Sequence, residues 1–155
     1  MEMDERVAEL GRALGPALGA RVLTSRAERE GHGRSESHFP LTPPHGVAYP
    51  ESTEDVAEIV RACAARDIPV IGWGVGTSLE GHALAFSGGV AVDFSRMNRV
   101  LRVSGEDMDC TGQPGLTRTG LNEALRATGL MFPVDPGADA TLGGMAACRA
   151  SGTTA

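Results

Sequence analysis

Apolar residues recur at Val7, Leu10, Leu14 and Leu18, the spacing of one helix face, so a surface helix is predicted there, ending in the Gly15-Pro16 and Gly19 region. Arg21-Val22-Leu23-Thr24 predicts a short strand. Residues 25–46 are polar, show no period, and carry His32, His38 and His45 among prolines and glycines, which predicts a loop with solvated histidines. A helix capped by Ser52 or Thr53 follows, with Glu54 and Asp55 in its first turn, where carboxylates suit the helix dipole. Val56, Ile59, Val60 and Cys63 form its predicted buried stripe, and it ends near Asp67. Strands are predicted at Ile68 to Ile71 and at Gly89 to Phe94, so a helix followed by strand, loop and strand implies a small mixed sheet. Val100 to Ser104 and Met108 to Gln113, separated by Gly105-Glu106-Asp107, predict a hairpin whose second arm is weakened by Gly112. After a turn at Gln113-Pro114-Gly115, Thr117 to Thr128 predicts a helix burying Leu121 and Leu125, capped by Thr117 or Thr119 and closed by Gly129.

Composition narrows the class. A chain of 155 residues suits one ordinary domain, while 21 glycines and an aromatic share of 4% point to a loop-rich α/β character rather than a dense aromatic core. The net charge of −6 leaves no basic footprint for nucleic acid or anionic lipid. No apolar run approaches the roughly 18–20 residues that span a bilayer. The acidic start Met1-Glu2-Met3-Asp4-Glu5 disfavours a secretory or transit signal, and a cytoplasmic location is expected. Cys63, Cys110 and Cys148 lie far apart, matching three reduced structural thiols. The histidines lack a carboxylate or cysteine at ligand spacing, so no metal is expected.

Candidate chemistry sits in two glycine-rich segments. In the first, Pro69-Val70-Ile71 runs into Gly72-Trp73-Gly74-Val75-Gly76-Thr77-Ser78-Leu79. Such a loop takes positive φ angles, brings successive N–H groups to one anion, and adds the hydroxyl donors of Thr77 and Ser78. A cradled phosphate or pyrophosphate is the first hypothesis; a tight structural turn is the bland alternative. The P-loop lysine is missing, and Gly72, Gly74 and Gly76 have the wrong spacing for the dinucleotide fingerprint.

The second segment joins a stiff Asp135-Pro136-Gly137 turn to a run starting at Thr141, which would cap a helix. Gly143, Gly144, Ala146, Ala147 and Ala150 give that helix almost no side-chain bulk. A planar ligand lying on its backbone and close packing within the protein explain this equally well.

Five motifs in order carry a family likeness: Tyr49-Pro50-Glu51-Ser52-Thr53-Glu54-Asp55-Val56, Gly74 to His82, Asp93-Phe94-Ser95-Arg96-Met97-Asn98-Arg99, Gln113-Pro114-Gly115, and Phe132 to Ala146. Upstream, Arg29-Glu30-Gly31-His32-Gly33-Arg34-Ser35-Glu36-Ser37 extends it. From about Val22 onward the chain resembles the flavin-binding domain of the PCMH-type, vanillyl-alcohol-oxidase superfamily. More narrowly it resembles the branch of FAD-linked D-lactate dehydrogenase (cytochrome) and the glycolate oxidase subunit.

The resemblance implies an α+β domain of two small α/β lobes that clasp noncovalent FAD. After the helix and polar loop read over 1–45, it implies a first lobe over 46–100 and an incomplete second lobe over 101–155. Gly72, Gly74, Val75, Gly76, Thr77, Ser78 and Leu79 would wrap the pyrophosphate. Pro136, Thr141, Gly143, Gly144 and Ala147, with Ser151 and Gly152, would line the pyrophosphate, ribityl and isoalloxazine portions. The implied reaction is oxidation of a 2-hydroxy acid, with D-lactate favoured and glycolate or 2-hydroxyglutarate open, its α-hydrogen leaving as hydride to the flavin. Relatives continue into a substrate domain that supplies metal ligands and the catalytic base, so the chain is expected to be a truncated frame or a fragment, and a non-catalytic remnant binding flavin or a partner is the rival reading. Trp73 stands where arginine or phenylalanine is more usual, Gly112 replaces an apolar strand residue, and Cys148-Arg149 is atypical. Valine at Gly76 or Gly144 is expected to abolish flavin binding, and a change at His32 to be silent.

Overall fold

The computed structural model describes residues 2–152. Its elements in chain order are α1 (Met3–Ala13), α2 (Gly15–Gly19), β1 (Val22–Leu23), α3 (Arg26–Gly31), β2 (Gly46–Ala48), α4 (Thr53–Ala64), β3 (Val70–Trp73), β4 (Val90–Asp93), β5 (Val100–Ser104), β6 (Asp109–Gly112), α5 (Arg118–Leu125) and α6 (Leu142–Ala147). They fall into two compact units, Met1–Phe94 and Ser95–Ala155. Residues 1–45 contribute to the first of these.

The first unit is built on a four-stranded mixed sheet in the order β1-β2-β4-β3. β2, β4 and β3 run parallel, and β1 pairs antiparallel with β2. All four residues of the central β4 are buried, the pattern of a parallel strand covered on both faces. Edge strand β3 leaves Val70 exposed and buries Trp73. Val7 and Leu10 of α1, Leu18 of α2, Ile59 and Cys63 of α4, and Val90 and Val92 of β4 share one core. Burial raises the Cys63 thiol pKa to about 11, so it stays protonated at neutral pH. Arg21 ties the sheet to α4, donating 2.7 Å to Asp55 and 3.1 Å to the Tyr49 carbonyl.

The structure changes four sequence-based expectations here. The first helix breaks between α1 and α2, where Gly15 takes φ +72°, yet Val7, Leu10, Leu14 and Leu18 are all buried as expected. Val60 is 43% exposed and lies off the buried stripe of α4, which centres on Ile59 and Cys63. The strand after α4 starts at Val70 rather than Ile68. Asp67 adopts φ +50°, its amide bonds to the Ala64 carbonyl and the Ile68 amide to that of Cys63, so Ile68 closes a Schellman cap and enters the core. Finally, the polar stretch holds helix α3, capped by Ser25 and braced by an Arg26–Glu30 pair at 2.6 Å. α3 has no buried residue, which is why it shows no apolar period.

In the second unit β5 and β6 form the predicted hairpin, with an irregularity between Val100 and Arg102. Leu116, Leu121 and Leu125 form its core with Val100, Val103, Cys110, Phe132 and Leu142 packed against them. Thr117 caps α5 and Gly129 ends the following turn at φ +73°. At Gly112 the side chains of Leu116 and Leu142 occupy the space that a strand side chain would fill.

Candidate cofactor-binding segments

In the first unit the edge strand ends at Trp73 and the chain enters a loop over residues 74–79. Trp73 is buried, and its ring lies under the loop. A Cβ added at Gly76 would sit 2.6 Å from Trp73 Cζ2 and 2.8 Å from Cη2. Gly76 also has φ +69°, so within the 74–79 loop a left-handed backbone sits directly over an aromatic floor. The backbone amides of residues 75–79 donate to no acceptor among the described residues. Ser78 Oγ lies 3.0 Å from His82 Nδ1 and accepts from the Glu80 amide. Val75 and Leu79 are exposed, Gly72 is exposed on β3, and Gly74 and Thr77 are half-buried. Open amides on a loop with no carboxylate from Gly72 to Leu79 fit a diphosphate.

Beneath Trp73 lies a polar group that the sequence pattern did not reveal. His32 is buried, not solvated, and its Nε2 is 2.7 Å from Asp93 Oδ2 while Nδ1 is 2.9 Å from the Glu28 carbonyl. Both partners are acceptors, so the arrangement is satisfied by a doubly protonated ring facing an ionised Asp93. Burial works against that charge. The bonds to Asp93 and Glu28 and the charges of both acids outweigh it, so the His32 pKa is raised above the ordinary histidine value. Trp73 packs on the imidazole at 4.8 Å between centroids, and Tyr49 meets it edge-on at 6.0 Å. Tyr49 in turn donates 2.7 Å to Glu28 Oε2. The expectation of a solvated loop histidine is therefore corrected for His32. Of the other two histidines, His38 is exposed, whereas His45 Nδ1 accepts from the Gly89 amide at 3.1 Å.

In the second unit Thr141, Gly143, Gly144 and Ala147 lie at the cap of α6 and along it, Pro136 lies in the turn before it, and after it Ser151 leads to Gly152, which packs back against Asp135. Asp135 accepts from the Gly137 amide at 3.0 Å, making the predicted stiff turn. Thr141 caps α6 by accepting from the Gly144 amide at 3.2 Å. The amides at the start of this helix are already engaged: Leu142 donates to the Leu116 carbonyl, Gly143 to that of Pro114, and Met145 to that of Thr141. A Cβ at Gly143 would meet Pro114 Cβ at 2.8 Å, and one at Gly152 would meet the Asp135 carbonyl oxygen at 2.3 Å. Close packing within the protein thus accounts for these two glycines. Pro136, Ala147 and Ser151 are exposed, and Thr153 and Thr154 lie outside the described residues. Asp139 accepts from the Thr119 amide at 2.9 Å, and this bond, with help from the Thr119 and Thr117 hydroxyls and Arg118, holds its carboxyl pKa below the ordinary value.

Comparisons with known proteins bear directly on these segments. A family model described as an FAD binding domain matches residues 44–155. A probable mitochondrial D-lactate dehydrogenase of Danio rerio is 48% identical over 134 residues, covering 86% of this chain and 27% of that protein. A mitochondrial D-lactate dehydrogenase (cytochrome) of Arabidopsis thaliana is 41% identical over 95% of this chain and 26% of its own length. Among solved structures, an alkyldihydroxyacetonephosphate synthase superposes with a TM-score of 0.83 at 26% identity, covering 98% of this chain and 33% of that one. The chain spans about a quarter of the length of the two dehydrogenases. Among the described residues no helix is long and apolar enough to cross a membrane. FAD is the cofactor that this domain type takes, and the chain belongs to the FAD-binding domain family of D-lactate dehydrogenase-like oxidoreductases.

Proposed function

We propose that this chain is the FAD-holding portion of a flavoenzyme that oxidises a 2-hydroxy acid, D-lactate to pyruvate before glycolate or D-2-hydroxyglutarate. The observation that carries the cofactor part is the set of unengaged amides over residues 75–79, held above a buried Trp73 ring. Gly72, Gly74, Val75, Gly76, Thr77, Ser78 and Leu79 hold the diphosphate in this reading, and the hydroxyls of Thr77 and Ser78 add donors. Pro136, Gly144, Ala147 and Ser151 offer small side chains to the remainder of the cofactor in this reading, on a segment whose shape Thr141, Gly143 and Gly152 hold by packing within the protein. FAD binds noncovalently, since His82 lies beyond the loop and is directed to Ser78. When bound, the flavin accepts a hydride; the protein contributes orientation and electrostatics.

The substrate part rests on the relatives, which include four proteins named as D-lactate dehydrogenases, one of them as probable, and a D-2-hydroxyglutarate dehydrogenase of Xanthomonas citri pv. viticola, 33% identical. A cytoplasmic location belongs to the same proposal and is set against the mitochondrial names of the first two; fractionation of producing cells decides it. FAD titration of the purified protein, followed by flavin fluorescence, tests the cofactor reading, with stoichiometric binding expected and no binding refuting it. Anaerobic addition of D-lactate, glycolate or D-2-hydroxyglutarate to the protein in its longest encoded form tests the substrate. Bleaching of the visible flavin band fastest with D-lactate is expected; a stable, unbleached flavin with all three would leave a flavin-binding module without this chemistry.

A further inference from the structure

We propose that His32 is a positioning residue for the cofactor loop: clamped between α3 and β4, it seats the Trp73 indole, and the indole forms the floor that shapes residues 74–79. The inference rests on the proposed FAD role of that loop. Its starting point is register. Trp73 and Asp93 are paired on adjacent parallel strands, so their side chains leave the sheet on the same face. His32 lies against both, 2.7 Å from the Asp93 carboxylate and 4.8 Å between ring centroids from Trp73. Its other nitrogen is fixed by the Glu28 carbonyl at 2.9 Å. With both ring nitrogens held, the imidazole cannot turn, and its plane dictates where the indole rests.

Trp73 needs such a backing because it ends an edge strand, with a hydrogen-bonded neighbour on one side only. A charged imidazole within about 6 Å of an indole is also attracted to its face. Above, the indole covers Gly76, so a shift of the ring by an ångström moves the left-handed residue at the centre of the loop. The chain of contact is therefore Asp93, His32, Trp73, Gly76, all within the first unit. The titratable groups facing His32 are Asp93 from β4, the Glu28 carboxylate from α3 at 4.0 Å, and Tyr49 after β2. When His32 loses a proton, one of its two bonds loses its donor, and the seat of the indole loosens. The raised pKa sets the sign: the clamp is complete below about pH 6.5, the unperturbed histidine value, and is lost as pH rises through the higher folded value.

Trp73 is the sole tryptophan, so its emission reports this seat without any mutation. The experiment measures Trp73 emission of the apoprotein and the FAD dissociation constant across pH 5.5 to 9, in the natural chain and in His32→Gln. The expected result is a single transition shared by emission and affinity, with FAD binding at least tenfold weaker on the alkaline side. In His32→Gln the expected profile is flat and weak throughout, which separates His32 from the exposed His82. Trp73→Phe keeps a flat ring on the imidazole and is expected to retain the pH dependence of affinity. Emission that does not titrate, or a His32→Gln protein that folds and binds FAD as tightly as the natural chain, overturns the proposal. Should His32→Gln fail to fold, the titration of the natural chain decides alone. Absence of FAD binding to the natural chain refutes the cofactor reading itself, while the emission titration still tests whether His32 seats Trp73.

Discussion

The two glycine-rich segments look alike in composition and differ in what their glycines do. In residues 75–79 the amides donate to no acceptor among the described residues, and Gly76 is required by a left-handed backbone and an aromatic ring beneath it. In residues 141–152 the helix-start amides of Leu142 and Gly143 are taken by the turn at Pro114 to Leu116, and Gly143 and Gly152 are required by close approach of the protein's own backbone. The first segment thus leaves its donors open. The second offers a smooth surface and keeps its donors for itself. Small residues in a sequence report only that bulk is forbidden; whether a ligand or a neighbouring turn forbids it is decided by where the amides point.

The strongest way to break this comparison is a pair of valine substitutions. Gly76→Val forces a β-branched residue into a left-handed backbone, at about 1–2 kcal/mol, and drives its methyls into Trp73. The expected outcome is at least a hundredfold loss of FAD affinity with the second unit's hydrogen-exchange protection unchanged. Gly143→Val drives a side chain into Pro114 and disturbs the bond from its amide, an overpacking cost of about 1–3 kcal/mol. There the expected outcome is lost protection over α5 and α6, with FAD affinity falling only as far as the unit unfolds. Equal behaviour of the two variants in both assays would erase the distinction. Gly144 is a milder case, since its added Cβ would meet only the Thr141 hydroxyl at 3.0 Å.

A smaller effect sharpens the role of the second segment. Thr141 is buried, caps α6 and makes an isolated bridge with Thr117. Thr141→Ala is expected to cost about 1 kcal/mol in denaturant unfolding of this unit, and Thr141→Ser to restore most of it. A comparable loss in the first unit is expected for Ser52→Ala, the cap of α4, without any change in FAD affinity. If Thr141→Ala leaves stability untouched but weakens FAD binding, the hydroxyl serves the cofactor rather than the helix.

Much of this was legible in the residues. Caps at Ser52, Thr117 and Thr141 follow from hydroxyl residues standing before runs of helix formers, and the hairpin from two short runs around Gly105. The glycine loop was visible because an apolar run stops abruptly in alternate glycines. α3 was not, because its stability comes from a cap and an ion pair, which leave no period. His32 was not either: its partner Asp93 lies 61 residues away, and only the sheet register brings the two together. The engaged amides of α6 were equally invisible, since the acceptors are carbonyls of an unrelated turn.

The smallest expected effect sets the two segments apart by pH. The hold on the first fails as pH rises, through His32. In the second, the Asp139 carboxylate anchors the 135–141 stretch to the start of α5 through the Thr119 amide, and that contact favours the ionised form. A carboxyl whose folded pKa is depressed contributes stability that is present above its unfolded value of about 4 and is lost as pH falls through the folded value. Asp139 is exposed, so solvent screens the contribution and it should fall below that of the Thr141 cap. The measurement is amide exchange at Thr119 and neighbouring residues between pH 3 and 6, in the natural chain and in Asp139→Ala. Protection that fades on acidification in the natural chain, and is low and flat in Asp139→Ala, is the expected pair of results. Protection at Thr119 that is the same in both proteins would mean that the backbone bonds at Leu142 and Gly143 hold the segment unaided, and the two segments would then differ in their amides but not in the sign of their response to pH.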